Sequence, residues 1–143
     1  MVKSFHICLV RPFFKNLRKE LTKMPKIYFM DLGLKNFFLK NFEPIQEREN
    51  PGPAYENLIF RQFIERTSAE DVKFWRTQSG NEVDFILNNK IAYEVKYNIS
   101  NFSSAKYKVF LNCYKSFIFN VAYHAGSPKE CILKNERFNF IKF

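Results

Sequence analysis

Four glycines and three cysteines are all that 143 residues contain. So little glycine, with only scattered proline, argues against low-complexity or collagen-like character. Cys8, Cys113 and Cys131 are an odd number without Cys-x-x-Cys spacing, which excludes a disulfide framework and reads as a reduced chain. A zinc site would have to gather these with His6 and His124, and their spacing gives no sign of one. No run approaches the roughly 20 apolar residues of a membrane helix. Arg11 and Pro12 interrupt the first segment before it reaches signal-peptide length. These absences predict a cytoplasmic chain with no membrane partner. There is also no GxxxxGK[ST] motif, so no ATP hydrolysis through a P-loop is expected.

Phenylalanine is abundant: 18 residues, beside 7 tyrosines and 1 tryptophan, enough to fill the core of one domain. Charge is uneven. The total is +9, but residues 1–40 carry a net +7, residues 41–100 a net −3 and residues 101–143 a net +5. An acidic centre between basic arms suits a polyanionic partner around a centre that holds cations. Surface lysines that keep an aromatic-rich domain soluble would leave the same totals.

Periodicity predicts strands at 5–10 and 26–30, a basic helix-like turn at 16–23, and a helix over 31–40 with Asp31 as N-cap. NFEPIQERENPGP (41–53) is a linker or loop and marks the internal boundary, giving an α/β extension over 1–50 and a main unit over 51–143. Pro53 at a first helical position opens a helix with Tyr55, Leu58, Ile59 and Phe63 along one stripe. A strand at 72–77, a hairpin over 82–98, a helix from Ser103 or Ser104 through Lys115 and a strand at 116–124 follow. CILK and the FNFIKF tail read as an edge. From residue 53 the order is helix, three strands, helix, strand, a mixed α/β layout.

The hairpin EVDFILNNKIAYEVKYN holds the chemistry. Placing Val83, Phe85 and Leu87 on one face with Ile91, Tyr93 and Val95 requires an odd loop, and Asn88-Asn89-Lys90 fits because asparagine accepts left-handed backbone. That register sets Asp84 opposite Glu94 and Glu82 opposite Lys96. Facing carboxylates repel, and a divalent cation such as Mg2+ or Mn2+ is the simplest compensation. Lys96, one step along, would neutralise developing charge or position a water. A solvated charged face would show the same alternation. Glu56 adds weight, because it stands in the first turn of the helix yet beside its apolar stripe, where an unpaired carboxylate is costly. Arg76 or Arg61 would be its partner in a purely structural account.

Helix Glu56, then Asp84, then Glu94-Val95-Lys96 resembles the pattern of the PD-(D/E)xK restriction-endonuclease-like superfamily. More closely, the chain is similar to the domain of unknown function at the C-terminus of many bacterial and archaeal AAA-type ATPases. The matching segments are RPFFKNLRKEL, PKIYFMDLGLKN, YENLIF, FWRTQSGNEVDFIL and YEVKYN, covering most of residues 9–98. The resemblance implies a restriction-endonuclease-like core and an acidic cluster of Glu56, Asp84 and Glu94 that holds Mg2+ or Mn2+. It makes Lys96 the catalytic lysine, with Arg76 and Glu82 in support. It implies DNA as the partner, together with an ATPase domain of the same parent chain. That ATPase half is missing here, so the chain is expected to be an excised fragment or a stand-alone remnant.

Three readings follow: a metal-dependent nuclease, an inactive module of the same fold that binds DNA or regulates the ATPase, and a protein-interaction domain using the aromatics of 102–119.

Overall fold

The computed structural model describes residues 6–14, 24–128 and 137–143. The elements are β1 (Ile7–Pro12), β2 (Lys26–Phe29), α1 (Leu32–Leu39), α2 (Gly52–Arg66), β3 (Val72–Arg76), β4 (Glu82–Leu87), β5 (Ile91–Asn98), α3 (Lys108–Cys113), β6 (Ile118–Ala125) and β7 (Asn139–Lys142). Among the described residues they make a mixed α/β domain with one seven-stranded sheet, ordered β2-β1-β3-β4-β5-β6-β7. The predicted turn at 16–23 and the CILK segment lie outside the described residues.

Local chemistry accounts for most boundaries. Asp31 caps α1, its side chain accepting from the N–H groups of Gly33 and Leu34. Lys40 ends that helix in the left-handed conformation, with φ 50°. Residues 41–50 hold no helix or strand, as the prolines of that stretch predict. Pro53 occupies the second position of α2, because the helix begins one residue earlier, at Gly52. The third helical stretch is shorter than its aromatic spacing implies. A turn of 3-10 helix at Ser104–Tyr107 takes its start, with another just before it at Ile99–Asn101, and leaves α3 six residues.

The sheet buries a core on each side. Helix α2 sets Tyr55, Ile59, Phe60 and Phe63 against Phe74, Phe85, Leu87 and Val95. On the other side Phe102, Tyr107, Phe110 and Leu111 cover Trp75, Val83, Ile86 and Phe119. Leu58 is not in the buried stripe, and Phe60 takes that place. Turning 100° per residue, the helix carries position 58 away from the face centred on Ile59 and Phe63.

The hairpin register agrees with the alternation: Phe85 pairs with Tyr93, Ile86 with Ala92 and Leu87 with Ile91 around a three-residue loop. Asn88 and Asn89 have φ of 51° and 53°. Against β3, however, strand β4 carries one extra residue. Lys73 pairs with Ile86 but Trp75 pairs with Val83, so Asp84 and Phe85 together stand opposite Phe74. This β-bulge switches the alternation. Val83 therefore joins Ile86 in the core beneath α3, not Phe85 and Leu87 as periodicity alone predicts. The same switch turns Glu82 from its expected place opposite Lys96 toward Arg76 and Lys26.

Candidate functional site

Asp84 and Glu94 are the buried charges of the described residues, 9% and 5% exposed. Asp84 sits in the bulge. Its Oδ2 accepts the backbone N–H of Val95 at 2.8 Å, just past the last ladder pair between β4 and β5. Burial, reinforced by Glu94 and Glu56, pushes its carboxyl well above the usual carboxylate range, while Lys26 and Lys96 pull it down.

Glu94 is raised too, by burial first, with Lys96 opposing. Its Oε1 accepts from the Lys96 ammonium, which also donates to the Val95 carbonyl at 3.3 Å. Its Oε2 is buried and makes no hydrogen bond of ordinary geometry, although the Tyr107 hydroxyl acts on the carboxyl as a donor and helps to lower its pKa. The Lys96 ammonium is disfavoured by burial, but Glu94 and Asp84 outweigh this and raise its pKa. Tyr107 lies against the same site from the α3 side, its phenol raised by burial and then by Glu94.

Glu56 extends from the start of the second turn of α2, not from the first as the sequence predicts, because the helix already begins at Gly52 and its first turn holds no acidic residue. Its Oε1 accepts from the Tyr28 hydroxyl and from Lys26 Nζ at 3.1 Å. Lys26 also contacts Glu82 and stands 3.8 Å from Asp84 Oδ1. Glu82 in turn takes Arg76 Nε. Burial would raise the Glu82 carboxyl, but Arg76 and Lys26 hold it below its ordinary value. The partner of Glu56 is thus Lys26, in place of Arg76 or Arg61.

A cleft of about 420 Å³ opens over this group, lined by Glu56, Asp84, Lys96, Tyr97 and Asn98, with residues 49–53 forming one wall. The structure therefore brings all six predicted residues into one network: Glu56, Asp84 and Lys96 on the cleft, Glu94 bonded to Lys96, and Glu82 with Arg76 joined through Lys26.

Sequence reasoning missed three residues. Lys26 and Tyr28 share a strand face by their i, i+2 spacing, but nothing local tells which carboxylate they meet. Asn57, buried on α2, accepts from the Phe29 N–H at 2.9 Å and donates to its carbonyl at 2.7 Å, pinning β2 to the helix. An asparagine inside a helix was the available signal, since it is an unusual core residue.

Hard carboxylate oxygens at Asp84 and Glu94, one of them without a hydrogen bond of ordinary geometry, fit a divalent cation by donor chemistry. Among the described residues no three His, Cys, Asp or Glu side chains stand close enough to hold a metal ion together. Glu56 is drawn instead to Lys26.

Fold and site define a mixed α/β domain with a carboxylate–lysine cleft where two strands part. The chain belongs to the family described as Domain of unknown function (DUF4143), whose model matches residues 51–129. A second model, Domain of unknown function (DUF8612), matches residues 1–44. Lys26 and Tyr28 fall within the second match and the other site residues within the first. The chain is 31% identical over 78 residues to Uncharacterized protein Mb2031c of Mycobacterium bovis and to Uncharacterized protein Rv2008c of Mycobacterium tuberculosis. Each match covers 53% of this chain and only 18% of the relative. No solved structure matches the chain at a significant level. Among the described residues, no helix is long and apolar enough to cross a membrane.

Proposed function

We propose that this chain is the C-terminal nuclease-like domain of an AAA-type ATPase, with a PD-(D/E)xK restriction-endonuclease-like core, cleaving phosphodiester bonds of DNA in the cytoplasm with Mg2+ or Mn2+. One observation carries the reading: Glu94, bonded to Lys96 and approached by the Tyr107 hydroxyl, is a buried carboxylate in the same network as Asp84, and its Oε2 makes no hydrogen bond of ordinary geometry. Such a buried carboxylate oxygen is costly unless something binds it.

Asp84 and Glu94 would hold the ion, and Glu56, drawn to Lys26 in this structure, would join them on release from that lysine. When bound, it supplies a water of lowered pKa and stabilises charge on the phosphate. The residues do the rest. Asp84 spans the parting strands through Val95, which keeps the two carboxylates together. Lys96, anchored by Glu94, presents an ammonium to the cleft, where it orients a water or offsets negative charge on the phosphate. Arg76 and Glu82 hold the flank of the cluster. The basic arms supply contacts to the nucleic-acid backbone.

A second reading, a catalytically inactive DNA-binding or regulatory module of the ATPase, is favoured by Lys26, which already neutralises part of the cluster. Nicking of supercoiled plasmid in Mn2+ separates them. Cleavage by the wild-type chain and none by an identically purified Asp84→Asn chain supports the nuclease. Binding without cleavage by either supports the module, and equal cleavage by both overturns the site.

A further inference from the structure

Three carboxylates from two elements converge on the single ammonium of Lys26. Glu56 Oε1 lies 3.1 Å from Nζ, Glu82 Oε1 is in direct contact, and Asp84 Oδ1 is at 3.8 Å. Two of these, Glu56 and Asp84, are the residues that would hold a metal ion. The lysine side chain is 17% exposed, and its ammonium also lies 5.4 Å from the centre of the Phe74 ring. This is a built cation site whose occupant belongs to the protein.

We propose that the Lys26 ammonium is the resident counter-ion of the cluster and competes with a divalent cation for Glu56 and Asp84, which makes Lys26 a positioning residue that sets how tightly the site takes metal. The proposal rests on the metal-site reading above. An ammonium and a hard divalent cation seek the same carboxylate lone pairs, and two cations within a few ångströms of each other repel. Lysine suits the role because its ammonium rides on a flexible four-carbon stem, so the charge leaves by side-chain rotation without moving the backbone. The backbone has reason to stay, since Asn57 clamps Phe29 of the same strand through two hydrogen bonds. Lys26 belongs to the stretch matched by one family model and Asp84 to the stretch matched by the other. Competition would therefore couple the N-terminal strands to the state of the cleft.

The test is a Mn2+ titration of the full chain, followed by the electron paramagnetic resonance of free Mn2+. Wild type is compared with Lys26→Met, Lys26→Arg and Asp84→Asn. Competition predicts binding tighter by about fivefold or more in Lys26→Met, within the usual range of coupled sites. Lys26→Arg keeps the charge and should stay near wild type, whereas Asp84→Asn should lose binding. Unchanged or weaker binding in Lys26→Met, with binding lost in Asp84→Asn, overturns the competition and leaves the metal site standing. No bound Mn2+ in wild type or Lys26→Met overturns both. Should Lys26→Met be unfolded in chelator, its circular dichroism is read instead. Recovery with Mn2+ but not with sodium chloride supports competition, and no recovery overturns it.

Discussion

The Asp84 carboxylate accepts the Val95 N–H at 2.8 Å, bridging β4 and β5 just past their last ladder pair. A side chain thus takes over a backbone donor where the strands part. Asparagine retains a carbonyl oxygen for that bond and alanine does not. Asp84→Ala should therefore be less stable than Asp84→Asn by about 1–3 kcal/mol, the cost of an unsatisfied buried donor. Urea unfolding of the two variants measures the difference, and equal midpoints would show that the bond carries no weight.

The raised carboxyls give a pH dependence. Asp84 and Glu94 bind protons more tightly folded than unfolded, so the stability they contribute is complete below the unfolded pKa of about 4 and is lost as pH rises through their folded values. The charged groups around Asp84 are Glu94, Glu56, Lys26 and Lys96. Glu82 works the other way: its lowered carboxyl contributes above the unfolded pKa and loses that contribution in acid. In chelator, wild type should lose stability relative to Asp84→Asn as pH rises above the unfolded carboxyl value of about 4. Paired urea midpoints across that rise check the sign.

Asn57→Ala removes both bonds to Phe29 and frees the edge strand that carries Lys26 and Tyr28. The expected cost is about 2 kcal/mol, two modest hydrogen bonds lost together. Backbone amide exchange of 26–29 should accelerate more than that of the central strand β4. Uniform acceleration across the sheet would mean that the clamp is not local.

Gly126 has φ +86°, and a Cβ there would meet Asn98 Oδ1 at 2.8 Å and Ile99 Cγ2 at 3.0 Å. Gly80 shares that φ but has nothing within 4 Å. Gly80→Ala should cost only the left-handed backbone, about 1–2 kcal/mol. Gly126→Ala should cost more, and it should also disturb Asn98 on the cleft wall. Similar thermal midpoints for the two would contradict the close approach.

Much of the hairpin was legible because the period of two forces an odd loop once both apolar sets must face one side. Asn88 and Asn89 then mark that loop as the residues that tolerate positive φ. Asp31 announced α1 in the same local way, by a short side chain that reaches back to the first free N–H groups. The bulge was not legible. It is a mismatch in length between β4 and β3, so it exists only when the two pair, and it decides that Val83 and Glu82 turn from their expected faces.

By itself the sequence determined the element order after residue 53 and the hairpin register, and it placed Asp84, Glu94 and Lys96 on that hairpin, because these follow from spacing within one segment. The tertiary structure alone decided what those charges meet. Lys26 lies 30 residues from Glu56 in the chain, Tyr28 shares its strand, and α2 lies across the sheet from α3. Only packing brings an ammonium from one stretch against carboxylates from another. A charge's partner depends on distances of a few ångströms, which spacing along an extended chain does not encode.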